Sequence, residues 1–135
     1  MDTILGRVQY RHKGISMNNA ITTFGGFSVD SMEKAKEFYI GVLGLKIEDE
    51  TMGLQLELPG GGKLFVYQKD DHQPATFTVL NFVVDDIDQA IDDLVEKGVT
   101  FEIYDSMPAP QDEKGVLRGK AANQGPDIAW FKDAA

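Results

Sequence analysis

No cysteine occurs in the 135-residue chain, which removes disulfides, thiolate nucleophiles and zinc–cysteine sites together. Histidine is nearly as scarce, with His12 and His72 the only two, so a histidine-rich metal site has little to draw on. No apolar run approaches the roughly 20 residues of a membrane span, and the N-terminal residues lack the apolar stretch of a signal peptide. Positive charge is also short. The 13 Lys and Arg residues are scattered and outnumbered by 22 Asp and Glu, for a net charge of −9. That balance repels phosphate backbones and anionic lipid surfaces, so neither a nucleic acid nor a membrane is expected as a partner. There is no glycine-rich phosphate loop, no nucleophile elbow and no spacing that marks a carboxylate pair. The expectation left standing is a cytoplasmic protein that uses no cofactor.

What the chain does contain is a repeat. Phe27-Ser-Val-Asp-Ser-Met-Glu-Lys-Ala35 and Phe82-Val-Val-Asp-Asp-Ile-Asp-Gln-Ala90 match at a spacing of 55 residues. Each is an apolar strand end, an Asp, then a helix opening. With 42% hydrophobic residues the chain supports one compact domain with a shared core rather than two independent ones. In the first copy, residues 20–29 read as a strand, Asp30 as a helix cap with Glu33 reaching back, and Met32, Ala35, Phe38, Tyr39, Val42 and Leu43 as the buried helical stripe ended by Gly44. Strands are expected over 45–49, 54–58 and 63–68, the last two joined by the turn Pro59-Gly-Gly-Gly62. In the second copy, residues 76–84 read as a strand, Asp85 repeats the cap, and Ile87, Ala90, Ile91, Leu94 and Val95 form the stripe ended by Gly98. A strand over 99–104 follows, then a long loop over 105–127 with one strand around 115–121, and β character resumes over 128–133.

The second copy stops short. The first-copy strand 54–58 is followed by 63–68, but the counterpart of 63–68, expected after 128–132, has no residues to form it before Ala135. Thr3-Ile-Leu-Gly-Arg-Val-Gln-Tyr10 lies outside both copies and reads as a strand, so it is inferred to supply the missing one, by permutation within the chain or by exchange between subunits. The alternative is an unstructured leader. The divisions that follow are an N-terminal strand segment over 1–16, a first module over 20–70 and a second over 76–133.

Phe27-Ser-Val-Asp30, Phe38-Tyr39, Leu43-Gly-Leu45, the glycine-rich hairpin and Trp130-Phe-Lys-Asp133 together resemble the vicinal oxygen chelate superfamily of glyoxalases, bleomycin-resistance proteins and extradiol dioxygenases. The resemblance implies an α+β fold of two βαβββ modules, each with strand order 1-4-3-2, curling around a shared cavity. It also implies that subunits pair, so a homodimer is expected. The family holds its metal on His, Gln or Glu side chains of the first and last strands of each module. Those places fall on Phe24, on Val79, on Phe65 or Val66, and on Gly6 of the inferred N-terminal strand, none of which offers a donor atom. No metal is therefore expected.

The expected function is a metal-free protein that binds a small apolar or aromatic molecule between the modules, in the manner of bleomycin-resistance proteins. The alternative is a lyase, isomerase or dioxygenase-type enzyme of the same superfamily with an active site the motifs do not reveal. Phe24, Ser28, Val66, Tyr67, Val79, Asn81 and Trp130 are the candidate ligand contacts. Ser28 and Asn81 share strand parity with Phe24 and Val79, and either face the cavity or bond within the sheet. Tyr67 and Trp130 are either core or a ligand platform. Tyr39 belongs to the core, and His72, after Lys69-Asp-Asp71, reads as a solvated turn histidine. The acidic run Asp85, Asp86, Asp88, Asp92 and Asp93 reads as solvated charge favoured at a helix start.

Overall fold

A computed structural model describes residues 16–105 and 110–134. The expected N-terminal strand, Thr3 to Tyr10, lies outside the described residues. The first copy folds as its pattern demands. Strand β1 (Gly25–Val29) leads into helix α1 (Met32–Lys36), which winds on through Glu37–Val42 in wider turns whose Leu43 N–H reaches back five residues to Phe38 O at 2.9 Å. Strands β2 (Lys46–Asp49), β3 (Leu54–Glu57) and β4 (Lys63–Gln68) complete a four-stranded sheet in the order β1-β4-β3-β2. β1 and β4 are parallel, with Phe27 opposite Val66 and Ser28 opposite Tyr67, and the other pairs are antiparallel.

One detail of helix initiation differs from expectation in both copies. The cap of α1 is Ser31, whose hydroxyl accepts from Lys34 N–H at 3.3 Å, and not Asp30. In helix α2 (Ile87–Glu96) it is Asp86, accepting from Gln89 N–H at 3.1 Å, and not Asp85. In each case the extended backbone continues one residue past the aspartate, so the next oxygen-bearing side chain meets the free N–H groups. Gly44 has φ +72°, the left-handed geometry that ends the first helix where its pattern runs out.

The period of two along the strands sorts the sheet into faces. Val29, Leu54, Leu56, Leu64 and Val66 are buried against Ala35 and Tyr39 of the helical segment, with Phe27, Met32, Phe38 and Leu80 packed around them. Leu54, Leu56 and Val66 are each 0% exposed. Burying such side chains contributes on the order of 1.5–3 kcal/mol apiece, so this layer carries the stability of the domain. Gln68, at the end of β4, accepts from Met32 N–H at 3.0 Å and ties the sheet to the helix start.

The second copy is built differently. Residues 76–84, expected as a strand, form no ladder among the described residues, and Phe77 and Val83 are 73% and 98% exposed. Helix α2 forms as expected, with Ile91 buried, and Val99 and Val116 are buried beside it in the chain's second half. Of the expected strand 99–104 only Phe101 pairs, antiparallel to Phe131, and Glu102 N–H donates to Trp130 O at 2.8 Å. The expected strand around 115–121 is β5 (Leu117–Arg118), antiparallel to β6 (Asp127–Ile128). Phe101 thus meets Phe131 as Lys46 meets Glu57 in the first copy, and Leu117 meets Ile128 as Val66 meets Leu54. The N-terminal segment inferred for the position beside Ile128 lies outside the described residues; among these, the long connection itself pairs with Ile128 for two residues.

Candidate functional site

Because Val29, Leu64 and Val66 point to the helix, their neighbours in sequence point away from it. Ser28, Phe65 and Tyr67 therefore share the opposite, open face of the first sheet, extended by Phe24 just ahead of β1. The Phe65 and Tyr67 rings stack at 5.8 Å, and Phe24 meets Phe65 edge-on at 6.5 Å. Phe24 and Tyr67 remain partly exposed, which makes the cluster a platform and not a core. Val66, named with them from the sequence, is buried in the helix-side core. One step along a strand reverses the face, so Phe65 takes the place given to Val66.

His72 is the residue that the sequence reading misplaced. Lys69 N–H donates to Val29 O at 3.0 Å and His72 N–H to Lys69 O at 3.2 Å, a turn that folds the chain back over the end of β1. The imidazole is thereby brought to Ser28, with Nδ1 and the hydroxyl oxygen sharing a hydrogen bond of 2.7 Å. Nε2 is buried and has no partner among the described residues. His72 is therefore half-buried against the sheet, not a solvated turn residue. The signal was available: it sits four residues past β4, whose neighbour in a 1-4-3-2 sheet is β1, so a tight turn had to return it to the level of Ser28. A hydroxyl and an imidazole in contact can pass a proton between them or together hold a polar atom of a ligand. No carboxylate meets Nε2 among the described residues, so the pair is not a triad.

Val79 and Asn81 are exposed in the unpaired segment, and Trp130 packs against Tyr104 at 5.9 Å. Among the described residues no hydrogen bond or ring contact joins any of the three to Phe24, Ser28, Phe65 or Tyr67. Nor does any group of three or more His, Asp or Glu converge on one point among them.

Of two further arrangements, the first connects the copies. The Tyr39 hydroxyl donates to Asp133 Oδ2 at 2.5 Å, and burial first, then this bond to a carboxylate, raises the phenol above its ordinary range. Beside it Phe38, Val42, Lys97, Val99, Glu102 and Lys132 line an open cleft of about 280 Å³. Within the second copy, Arg118 donates to Asp88 and Asp112 at 2.8 Å each, and Lys114 reaches Asp88 at 3.3 Å and Asp92 at 3.1 Å. Hydrogen bonds from Arg118 and then Lys114 hold the Asp88 carboxyl down to about 2. The acidic run, read as solvated charge, is thus partly the anchor for the connection 110–118.

Set beside known proteins, residues 21–104 match the sequence profile of the Glyoxalase/Bleomycin resistance protein/Dioxygenase superfamily. No curated protein matches the chain. Among solved structures, an integron cassette protein from the mobile metagenome of a Halifax Harbour sewage outfall aligns with a TM-score of 0.59 at 18% identity, covering 84% of this chain and 90% of that one. A superfamily member from Sphaerobacter thermophilus gives 0.53 at 23% identity over 84% and 90%. The oxidase ChaP-H2 gives 0.54 at 20% identity over 84% and 87%. At these identities the likeness is one of fold.

Proposed function

Since the chain belongs to the Glyoxalase/Bleomycin resistance protein/Dioxygenase superfamily, we propose that it is a small-molecule-binding protein whose two βαβββ modules enclose a shared cavity. The ligand is a small apolar or aromatic molecule held against the open face of the first sheet. The observation that carries this reading is the aromatic platform of Phe24, Phe65 and Tyr67 set beside the Ser28–His72 pair, with 2.7 Å between the hydroxyl and the imidazole. Flat rings select a flat ligand, and the polar pair orients it. The places where the superfamily carries metal ligands fall on Phe24, Phe65 or Val66, Val79 and Gly6 here, and these residues offer no side-chain donor that fits an ion. In solution the protein is a homodimer, as the pairing of modules in the superfamily implies.

A second reading, an enzyme, is favoured by the same Ser28–His72 contact and by the presence of an oxidase among proteins of this fold. The two separate cleanly by experiment. On the binding reading, a planar aromatic probe such as 1-naphthol raises the melting temperature, and at 100 times its Kd it adds about 2.7 kcal/mol of stability. Phe65→Ala removes the shift, Ser28→Ala weakens it, and the probe is recovered unchanged. If a panel of planar aromatics leaves the melting curve unmoved and native mass spectrometry finds nothing bound, the binding reading fails. Turnover that disappears in His72→Gln establishes the enzyme instead.

A further inference from the structure

His72 Nδ1 and the Ser28 hydroxyl oxygen lie 2.7 Å apart, and either group can be the donor. An uncharged imidazole carries one N–H and one lone pair, so the choice at Nδ1 fixes the state of Nε2. If Ser28 donates to Nδ1, the ring proton sits on Nε2, which is buried with no acceptor among the described residues. If Nδ1–H donates to Ser28, Nε2 keeps a lone pair and no N–H is buried unpaired. A buried N–H without an acceptor is the rarer of these two orphans in folded proteins, so the second arrangement is preferred. Its consequence falls on Ser28. The hydroxyl oxygen accepts from His72, its own proton is left over, and the Ser28 side chain makes no other hydrogen bond among the described residues.

We infer that Ser28 is the specificity-determining donor of the open sheet face, and that the flat ligand it selects carries an uncharged carbonyl oxygen. This rests on the binding reading above and narrows it to one class of molecule. The hydroxyl shares its face with Phe24, Phe65 and Tyr67, and it stands beside Tyr67 across the β1–β4 ladder. An aromatic molecule on that platform therefore meets an O–H and not a lone pair. A carbonyl gains a hydrogen bond there, whereas a hydrocarbon covers the donor and leaves it unpaired. A carboxylate would accept as well, but Asp70 and Asp71 immediately precede His72, Lys69 is already paired with Asp71 at 3.2 Å, and the chain carries a net charge of −9. That field disfavours an anion. With its proton on Nδ1, the imidazole does not draw the proton from Ser28, so the pair orients a ligand rather than activating a nucleophile.

A pair of probes of one shape tests this. In titrations followed by backbone amide shifts, 2-acetonaphthone should bind about fivefold tighter than 2-ethylnaphthalene, the gain of one net hydrogen bond. Ser28→Ala should erase the gap, Ser28→Thr, which keeps the hydroxyl, should retain it, and Phe65→Ala should weaken both probes alike. Equal affinities in the unmodified protein overturn the inference and leave the aromatic platform standing, whereas binding of neither probe removes the platform reading and the inference together. Without any ligand, long-range nitrogen–proton correlations of the imidazole, identified by their loss in His72→Gln, should place the proton on Nδ1 and the lone pair on Nε2. A proton on Nε2 overturns the inference equally.

Discussion

Residues 25–29 and 80–84 carry the same pattern one repeat apart, yet Val29 is 1% exposed in a ladder with β4 while Val84 is 48% exposed with no ladder among the described residues. Propensity does not decide it, since Gly25-Gly-Phe-Ser-Val29 forms the strand although Leu80-Asn-Phe-Val-Val84 has the higher strand propensity. What differs is the partner: the first copy supplies β4 from its own hairpin, 34 residues after Val29 at Lys63, and the second spends the corresponding length of chain on the connection that ends in β5 and β6. A strand's alternation specifies which face is apolar. It does not specify what lies beside it.

The largest effect expected from this contrast is in the core. Leu54→Ala, in a site with no exposure, should cost about 2–5 kcal/mol in chemical denaturation, while Val83→Ala should stay within about 0.5 kcal/mol. Comparable losses at the two positions would break the distinction between the copies and argue that 77–84 is fully covered in solution.

Next in size is the link between the copies. Tyr39→Phe keeps the ring contacts with Phe27 and Phe38 at 5.7 and 5.2 Å but removes the hydroxyl that donates to Asp133. A loss of about 1–3 kcal/mol in urea denaturation is expected, with the single transition of one cooperative unit retained. An unchanged midpoint would show that the C-terminal segment is not energetically tied to the first copy.

The smallest effect is electrostatic and confined to the second copy. Asp88 is held at about 2, below the unfolded value of roughly 3.9, so its contribution is present above about pH 4 and fades as pH falls toward 2. The melting temperatures of the wild type and Asp88→Asn should therefore differ at pH 5 and converge by pH 2. A gap that persists at pH 2 would mean that the variant acts through packing and not through the charge held by Arg118.

Much of the site was legible in part. Phe24 and Ser28 share a face by parity alone, since alternation along a strand is a local property, whereas parity left Tyr67 open between core and platform. Val66 was not separable from Phe65 because the choice of face depends on where β4 meets the helix, and His72 was misread because a polar turn gives no sign of the strand it folds back upon.

The sequence by itself determined the repeat, the helices with their glycine ends and the hairpin, all of which follow from residues close along the chain. Only the tertiary structure decided the pairing of Ser28 with His72 across 44 residues, of Tyr39 with Asp133 across 94, and of Leu117 with Ile128. Contacts between distant residues depend on how whole elements pack, and neither propensity nor periodicity carries that information.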